Sequence, residues 1–243
     1  MDFPQAFLDV LHAAKRVVVL TGAGISKESG VPTFRDKDGL WARYDPLELA
    51  TVQAFLDNPR LVWEWYLYRR NLIRDVSPNP GHLALVEIEK HYDDFTLITQ
   101  NVDGLHRRAG SENILELHGN IVLSKCFECG ARFDGEVTLE GGGLPSCHCG
   151  GRIRPDVVWF GETLPEKALS GAFEATNRAE LFLSIGTSAL VHPAASMPLV
   201  AKQIGAYLVE VNLEPTPLTG VCDFYVHGKS GEILPEIVKR LGP

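Results

Sequence analysis

The glycine-rich stretch at residues 21–35, TGAGISKESGVPTFR, constrains the fold of this chain more than any other feature. It follows residues 17–20, VVVL, an apolar and β-branched run that is typical of a buried parallel strand. Gly22 and Gly24 have no Cβ, so the backbone can turn sharply and lie close to a ligand. Residues 25–29 favour the start of a helix, whose free N–H groups bind phosphate. Strand, turn and helix together predict a dinucleotide-binding unit.

The fingerprint GxGxxG of dehydrogenases is nevertheless broken, because Lys27 stands at the place of the third glycine. The acidic residue expected about 20 positions further on is also missing, since the chain continues into the turn-rich stretch 30–39. An NAD-dependent oxidoreductase is therefore disfavoured. Taken alone, the glycines also fit a structural turn without a ligand.

Strand-like and helix-like segments alternate along most of the chain, which predicts an α/β fold with a doubly wound, parallel, Rossmann-like sheet. Further strands are expected at 95–99, 114–117, 181–185, 207–211 and 224–226, and helices at 3–14, 79–91, 165–177, 193–204 and 231–241. Four polar or glycine-rich loops, GAG, QNVD, GTS and NLE, each follow a predicted strand directly. Because ligands bind at the carboxyl ends of such strands, these loops are expected to line one pocket.

Two stretches interrupt the alternation. Residues 36–78 contain no good strand but include the helix-like run NPRLVWEWYLYRRNLI, and residues 120–157 contain the cysteine cluster. We interpret both as insertions that form a smaller helical and zinc-ribbon lobe, with a substrate cleft between the lobes. The large domain is then assigned to residues 1–35, 79–119 and 158–243.

Composition excludes several classes of function. The net charge of −8 argues against nonspecific binding of nucleic acid. No stretch approaches the roughly 18 apolar residues of a membrane span, and Asp2 and Asp9 interrupt any apolar core of a secretory signal. We therefore expect a cytoplasmic protein that binds neither nucleic acid nor membrane. The sequence does not indicate an oligomeric state.

The cysteines indicate a metal site. Cys126 and Cys129 form a CxxC pair, Cys147 and Cys149 form a shorter CxC pair, and residues 130–146 separate them. This spacing is typical of a zinc ribbon, in which four thiolates surround a structural Zn²⁺. The short second pair leaves His148 as an alternative fourth ligand, and disulfides or unpaired core thiols are further alternatives. Cys222 stands alone and is interpreted as a small buried hydrophobic residue.

GAGIS followed by GVPTFR resembles the first signature of the sirtuins, the NAD-dependent protein-lysine deacylases. The resemblance continues in the family's order through nearly the whole chain. Its further motifs are TQNVDGLH at 99–106, LHG at 117–119, the cysteine cluster at 126–149, FGE at 160–162, GTS at 186–188 and NLE at 212–214.

The resemblance implies a reaction in which NAD is a co-substrate and an acylated lysine of another protein is the partner. His118 matches the general base that deprotonates a ribose hydroxyl, a task that suits an imidazole. Asn101 matches a second catalytic position. The products are nicotinamide, free lysine and O-acyl-ADP-ribose.

The resemblance also implies a set of binding residues. The positions that match the NAD site are Gly22, Ala23, Gly24, Ile25, Ser26, Phe34, Arg35, Gln100, Asn101, Val102, Asp103, Gly186, Thr187, Ser188, Asn212, Leu213, Glu214 and Ser230. Glu214 ends a predicted strand, so its carboxylate can accept hydrogen bonds from ribose hydroxyls. Ser230 matches a backbone contact to adenine, although a helix cap fits it equally well. Phe160, Gly161 and Glu162 match an edge that pairs with the substrate peptide as an added strand.

Residues 63–70, WEWYLYRR, bear on the choice of acyl group. On a helix, Tyr66 shares a face with both Arg69 and Arg70, so spacing alone does not choose between the two arginines. The run resembles the Tyr-x-x-Arg motif of class III sirtuins, which accept succinyl-, malonyl- or glutaryl-lysine, and that match selects Tyr66 and Arg69. A guanidinium and a phenol suit a carboxylate in an enclosed pocket. The expected activity is therefore removal of succinyl and malonyl groups, with acetyl removal as a secondary activity.

Other functions predict different behaviour. A deacylase of the same family that acts mainly on acetyl-lysine predicts no acidic preference, and a mono-ADP-ribosyltransferase would leave ADP-ribose on protein. A non-enzymatic NAD sensor or zinc-ribbon adaptor would bind NAD without releasing nicotinamide.

Overall fold

A six-stranded parallel sheet organises the chain, and the computed structural model describes residues 2–32, 49–139 and 143–242. Its strands are β1 Arg16–Thr21, β2 Asp94–Thr99, β3 Ile114–Glu116, β7 Leu181–Ile185, β8 Tyr207–Asn212 and β9 Phe224–His227. Their order in the sheet is β3-β2-β1-β7-β8-β9. The predicted doubly wound sheet is thereby confirmed, and the order of strands reverses between β1 and β7, where ligands bind in such folds.

Helices cover both faces of this sheet. The helices of the described residues are α1 Gln5–Ala13, α2 Ala23–Lys27, α3 Val52–Asp57, α4 Pro59–Asp75, α5 Pro80–His91, α6 Leu105–Ala109, α7 Glu166–Thr176, α8 Met197–Gln203 and α9 Ser230–Leu241, of which α3 and α4 belong to the smaller lobe. Phe7 of α1, Leu85 of α5 and Ile233 of α9 pack on one face of the sheet. Ala172 of α7 and Met197 of α8 pack on the other. The central strands are therefore buried on both faces, which explains the continuous apolar run of β1.

Two Asn-Pro pairs begin helices. Asn58 caps α4 by accepting a hydrogen bond from the N–H of Leu61 at 3.1 Å. Asn79 caps α5 by accepting one from the N–H of Gly81 at 2.9 Å. In both helices proline is the first helical residue, where its missing N–H costs nothing. The helix predicted at 79–91 and the helix-like run of residues 58–73 are thus found nearly where the sequence indicates.

A smaller antiparallel sheet accompanies the large one. Its order is β5-β4-β6, from β4 Gly119–Cys126, β5 Arg132–Phe133 and β6 Ile153–Val157. These strands share a hydrophobic cluster with α3 and α4, in which Trp63 and Trp159 are almost fully buried. This arrangement is consistent with the predicted zinc-ribbon and helical lobe, whereas the boundaries of the two domains stay a prediction.

Two local differences from the sequence-based expectations concern helix starts. Helix α2 begins at Ala23, two residues earlier than predicted, so Gly24 lies inside it. The helix predicted at 193–204 begins as a short 3₁₀ turn, Ala194–Ser196, before α8. Among the described residues, no helix combines the length and apolarity needed to cross a bilayer.

Candidate active site

The loops after β1 and β7 contact each other through glycine backbone. The N–H of Gly24 donates to the carbonyl of Gly186 at 2.9 Å. A Cβ on Gly24 would lie 2.7 Å from the Cα of Gly186, and one on Gly22 would lie 2.8 Å from its carbonyl oxygen. The glycines are therefore required by the contact between two loops, a reason that the sequence did not indicate. This contact lies at the carboxyl edge of the sheet, between β1 and β7, where the strand order reverses.

The loops after β7 and β8 are joined by one amide. Asn212 donates from Nδ2 to the carbonyl of Thr187 at 2.7 Å, and the N–H of Leu213 donates to Asn212 Oδ1 at 3.0 Å. Ser188 is half-buried, and Glu214 is exposed beyond the end of β8. The GTS and NLE motifs are thus adjacent at the carboxyl edge, as predicted from their positions after strands.

A buried polar cluster joins α2 to the loop after β2. Ser26 donates from Oγ to Asp103 Oδ2 at 2.8 Å, and Asn101 donates from Nδ2 to Ser26 Oγ at 3.1 Å. Asn101 also donates to the carbonyl of Gly22 at 3.0 Å. Burial raises the pKa of Asp103, and the hydrogen bonds from Leu105 and Ser26 act in the opposite direction. Three predicted site residues, on two elements, therefore form one connected group.

Two buried histidines adjoin this cluster, and neither was expected from the sequence. Their rings lie 4.8 Å apart between centroids, with His82 Nε2 3.5 Å from Ser26 Oγ and His106 Nε2 3.0 Å from Thr21 Oγ1. Burial lowers the pKa of His82 to about 4 and that of His106 well below its ordinary value. Both rings are therefore neutral near pH 7 and act as hydrogen-bonding groups. In the sequence, only the position of His82 on the apolar face of a predicted helix could have indicated burial.

His118 lies in the turn between β3 and β4, at the junction of the two sheets. Its Nδ1 lies 2.9 Å from the carbonyl oxygen of Gln100. A carbonyl only accepts hydrogen bonds, so Nδ1 carries the proton and Nε2 keeps its lone pair. Burial lowers the pKa of His118, partly offset by the bond to Gln100. The side chain is thus a neutral imidazole with a basic nitrogen.

Gly119 fixes this turn. Its φ is +77°, and a Cβ would lie 2.3 Å from the carbonyl oxygen of Asp156. The carbonyl of His118 itself accepts from the N–H of Val158 at 2.8 Å. The glycine of the LHG motif is therefore needed where β4 pairs with β6, and this pairing holds His118 beside the loop after β2.

Helix α4 brings Tyr66 and Arg69 together and directs Arg70 elsewhere. The Arg69 guanidinium lies 4.8 Å from the ring centroid of Trp65 and 5.7 Å from that of Tyr66. Arg70 donates instead to the carbonyls of Ile121 and Leu123, both at 2.6 Å. The two arginines that spacing left equivalent thus differ in the structure, because Arg70 supports the backbone of β4.

Electrostatics link this pair to the polar cluster. Burial raises the pKa of the Tyr66 phenol, so the hydroxyl keeps its proton near neutral pH. Burial lowers the pKa of Arg69, with Tyr66 and Asp103 acting in the opposite direction. The electrostatics of Arg69 are therefore coupled to the Tyr66 phenol and to the Asp103 carboxylate.

Residues 160–162, the FGE segment, already form hydrogen bonds with other parts of the chain. The N–H of Phe160 donates to the carbonyl of Ala50 at 2.9 Å, and Phe160 forms a parallel bridge with Thr51. Glu162 accepts from Arg154 Nη2 at 2.9 Å and from the N–H of Trp159 at 2.7 Å. The side chain of Phe160 is half exposed. The carboxylate of Glu162 is thus directed at neighbouring protein groups.

Ser230 begins α9. Its hydroxyl donates to Glu28 Oε1 at 2.6 Å, and the N–H of Gly231 donates to the same carboxylate at 3.1 Å. Glu28, just after α2, thereby caps the amino end of α9. Two further predicted NAD-binding residues, Phe34 and Arg35, lie outside the described residues.

The four cysteines of the two pairs have the geometry of a metal site. Their sulfur atoms all lie within 4.8 Å of one another, with Cys126 3.5 Å from Cys149 and Cys129 3.7 Å from Cys147. A tetrahedral Zn²⁺ with Zn–S bonds of about 2.3 Å would separate its sulfur ligands by roughly 3.8 Å, so the group is compatible with structural zinc. All five cysteines carry free thiols, which excludes disulfides. His148 is not needed as a fourth ligand.

Comparison with known proteins gives the same family as the sequence motifs. The family model described as "Sir2 family" matches residues 22–193. An NAD-dependent protein deacylase of Aquifex aeolicus is 52% identical over 226 residues, which cover 93% of this chain and 95% of the relative.

Solved structures agree with this relationship. A Sir2 homologue in complex with NAD is 45% identical, with a TM-score of 0.92 and coverage of 99% of this chain and 94% of the other. A Sir2 protein bound to acetylated peptide is 33% identical, with a TM-score of 0.88 and coverage of 98% of both chains. The chain therefore belongs to the Sir2 family, the sirtuins.

Proposed function

We propose that this chain is an NAD-dependent protein-lysine deacylase that prefers lysines carrying acidic acyl groups. The general activity is supported by relatives of nearly the same length that are named NAD-dependent protein deacylases. The observation that carries the finer claim is the pairing of Tyr66 and Arg69 on one helix of the small lobe. The products are nicotinamide, the free lysine and O-acyl-ADP-ribose.

The residues of the carboxyl edge fit a dinucleotide. The turn at 22–26 supplies backbone N–H groups, and the linked GTS and NLE loops supply small and polar groups for the adenosine half. Gln100, Asn101 and Asp103 lie on the side of the nicotinamide and its ribose in our assignment. When bound, NAD supplies the ribose carbon from which nicotinamide leaves. We retain Val102, Ser230, Phe34 and Arg35 as proposed contacts of this site.

His118 acts as the base in this assignment. Because Nδ1 donates to the carbonyl of Gln100, Nε2 is free to take the proton of a ribose hydroxyl. The same hydrogen bond fixes the orientation of the ring. Burial lowers the pKa of His118, so the basic form predominates at neutral pH. Asn101, held by Gly22 and Ser26, orients groups next to this base.

The acyl group reaches Tyr66 and Arg69 in this proposal. An acyl chain that ends in a carboxylate can accept hydrogen bonds from both the phenol and the guanidinium, whereas the terminal methyl group of an acetyl chain can accept none. Removing water from such a pair strengthens the interaction, because the effective dielectric constant falls. The chemistry of this pair thus favours succinyl and malonyl over acetyl.

We assign the two lobes complementary tasks, with the large domain formed by residues 1–35, 79–119 and 158–243. It binds NAD, and the lobe formed by residues 36–78 and 120–157 carries the acyl-recognition pair and the zinc cysteines. The substrate is an acyl-lysine segment of another protein, which we propose pairs with the exposed edge at 160–162. No described feature assigns nucleic acid as a partner.

Replacing Arg69 by methionine tests the acyl preference. We expect kcat/KM for a succinyl-lysine peptide to fall about 10- to 100-fold, because a charge-assisted hydrogen bond is lost. The kcat/KM for the matched acetyl-lysine peptide should change less than about threefold. Arg74→Met is the control, since Arg74 lies on the same helix with its side chain 74% exposed.

Equal loss of both activities in Arg69→Met would mean that Arg69 only supports the fold. A wild-type protein that prefers the acetyl peptide would contradict the acidic preference and leave a deacetylase of the same family. The relative bound to acetylated peptide makes this the second candidate.

A further inference from the structure

The hydroxyl of Tyr66 has a partner that the family motif does not include. Trp159 donates from the indole Nε1 to the Tyr66 oxygen at 2.9 Å. Both side chains are almost fully buried, at 2% exposure for Tyr66 and 1% for Trp159. The two residues lie 93 positions apart, on α4 and after β6, so the bond joins two segments that are distant in sequence.

This hydrogen bond determines what the phenol can do. A tyrosine hydroxyl accepts and donates, and the indole N–H occupies its accepting side. The proton of Tyr66 is then available for another acceptor, and no second protein partner for it occurs among the described residues. Burial raises the pKa of Tyr66, so the proton stays on the oxygen near neutral pH. A phenol held in this way is a hydrogen-bond donor of fixed direction.

The indole is itself held by an ion pair. The Arg154 guanidinium lies 3.3 Å from the centroid of the Trp159 ring, and it donates to the carbonyl of Val157 at 2.8 Å. Glu162 receives hydrogen bonds from Arg154 and from the backbone N–H of Trp159. Although burial opposes ionisation, these bonds hold the pKa of Glu162 below its ordinary value. The charged pair thus fixes the ring that orients Tyr66.

We propose that Trp159, supported by Arg154 and Glu162, is a positioning residue that aims the Tyr66 hydroxyl at the carboxylate of an acidic acyl-lysine. This inference rests on the proposed function. Trp159 does not contact the acyl group in this account; it acts through Tyr66. In this account the side chain of Glu162 holds Arg154 and Trp159 in place. Its backbone keeps the separate role that we propose in peptide binding.

Trp159→Phe removes the indole N–H and keeps an aromatic ring at the site. We expect KM for a succinyl-lysine peptide to rise about fivefold to tenfold, with kcat little changed, because an orienting hydrogen bond is lost. Both parameters for the acetyl-lysine peptide should stay within about twofold. The matched control is Trp63→Phe, since Trp63 donates its indole N–H to the carbonyl of Ile153 at 2.8 Å and not to Tyr66.

A double-mutant cycle separates positioning from structural support. In the background of Tyr66→Phe, Trp159→Phe should have no further effect on the succinyl KM, because both changes remove the same interaction. Glu162→Gln keeps an acceptor for the N–H of Trp159 and weakens the pair with Arg154, so it should raise the succinyl KM less than Trp159→Phe does. It gives a second test if Trp159→Phe lowers the yield of folded protein.

The outcomes distinguish this inference from the proposed function. If the wild type prefers succinyl and Arg69→Met loses that preference while Trp159→Phe keeps it, the inference is overturned and the function stands. An equal loss with both peptides, or an unchanged effect in the Tyr66→Phe background, also overturns it. If the wild type shows no succinyl preference, both fail, and the bond between Trp159 and Tyr66 is then structural.

Discussion

His118 owes its assigned role to one hydrogen bond and to burial. The carbonyl of Gln100 fixes the proton on Nδ1, and partial removal of water disfavours the imidazolium. A sequence motif identifies the histidine, but the tautomer follows from where the loop after β2 places a carbonyl. The motif thus identifies His118, and the surrounding structure determines its tautomer and its neutral state.

The activity of the protein should depend on pH through His118. The base must be neutral, and a pKa below the ordinary value of about 6.5 keeps it neutral to lower pH. We expect kcat/KM to stay level from about pH 8 to about pH 6.5 and to fall below that, as the ring is protonated. Initial rates with the acetyl-lysine peptide, whose acyl group does not titrate, provide the measurement. An acidic limb that begins above about pH 7 would contradict the lowered pKa.

The sequence predicted residues whose chemistry is local and missed those defined by long-range contacts. The cysteine pairs were recognisable from their spacing, and the LHG motif from its resemblance to the sirtuin motif. The bond from Trp159 to Tyr66 joins positions far apart in sequence, and no periodicity indicates it. The same holds for His82 and His106, which meet only after two helices pack. Phe34 and Arg35 stay predictions.

At the scale of elements, the first glycine turn is a packing contact. Gly24 lies in α2 and its backbone meets the loop after β7, so this helix cannot move away without opening the sheet edge. In the sequence, the glycines of this turn predicted that the backbone lies close to a ligand. The structure adds close approach between two loops, which explains why glycine is required at this position.

Gly24→Ala should destabilise the protein and weaken NAD binding. The new Cβ would lie 2.7 Å from Gly186 Cα, and overpacking of this kind costs about 1–3 kcal/mol. Thermal unfolding and NAD titration measure the two effects. Gly220→Ala is the control, since a Cβ there meets no heavy atom within 4 Å. Unchanged stability in Gly24→Ala would show that the loops separate freely.

Elements differed in how far the sequence determined them. Parallel strands buried on both faces appear as apolar runs, so β1, β2, β7 and β8 were predictable. The antiparallel strands of the small lobe have mixed polarity, and β6 contains a proline and the buried Arg154. That arginine is tolerated because Glu162 pairs with it. Such compensation by a residue outside the strand cannot be read from the strand's own pattern.

Removing zinc should affect the small lobe first. Cys126 belongs to the same hydrophobic cluster as Tyr66 and Trp159, so loss of the metal should loosen the acyl pocket. After chelation we expect KM for the acyl peptide to rise at least about tenfold and the melting temperature to fall, while NAD affinity changes less. Cys129→Ser should act in the same way, and Cys222→Ser, outside the cluster, should not. An acyl KM that is unchanged without zinc would contradict this coupling.

At the scale of the whole molecule, two cores meet at the proposed active site. The large sheet carries hydrophobic clusters on both faces, and the small lobe has a third cluster of its own. His118 lies in the turn that connects β3 of the large sheet to β4 of the small one. A base at this junction can contact a dinucleotide on one side and an acyl-lysine on the other. This position supports the base role that we propose for His118.

The overall fold was the most predictable level, because alternation of strands and helices is encoded throughout the chain. The relative placement of the lobes was not, since it depends on contacts such as that of the Phe160 N–H with the carbonyl of Ala50. The net charge of −8 argues against nonspecific binding of nucleic acid and says little else about function.

Release of nicotinamide from NAD with matched succinyl- and acetyl-lysine peptides tests the central claim most directly. We predict peptide-dependent release that favours the succinyl peptide, with one O-acyl-ADP-ribose and one free lysine formed per nicotinamide. The rate at which deacylated peptide forms should fall by about 10²- to 10⁴-fold in His118→Ala, the range of general base catalysis. NAD binding without peptide-dependent release, or ADP-ribose left on the peptide, would contradict the account.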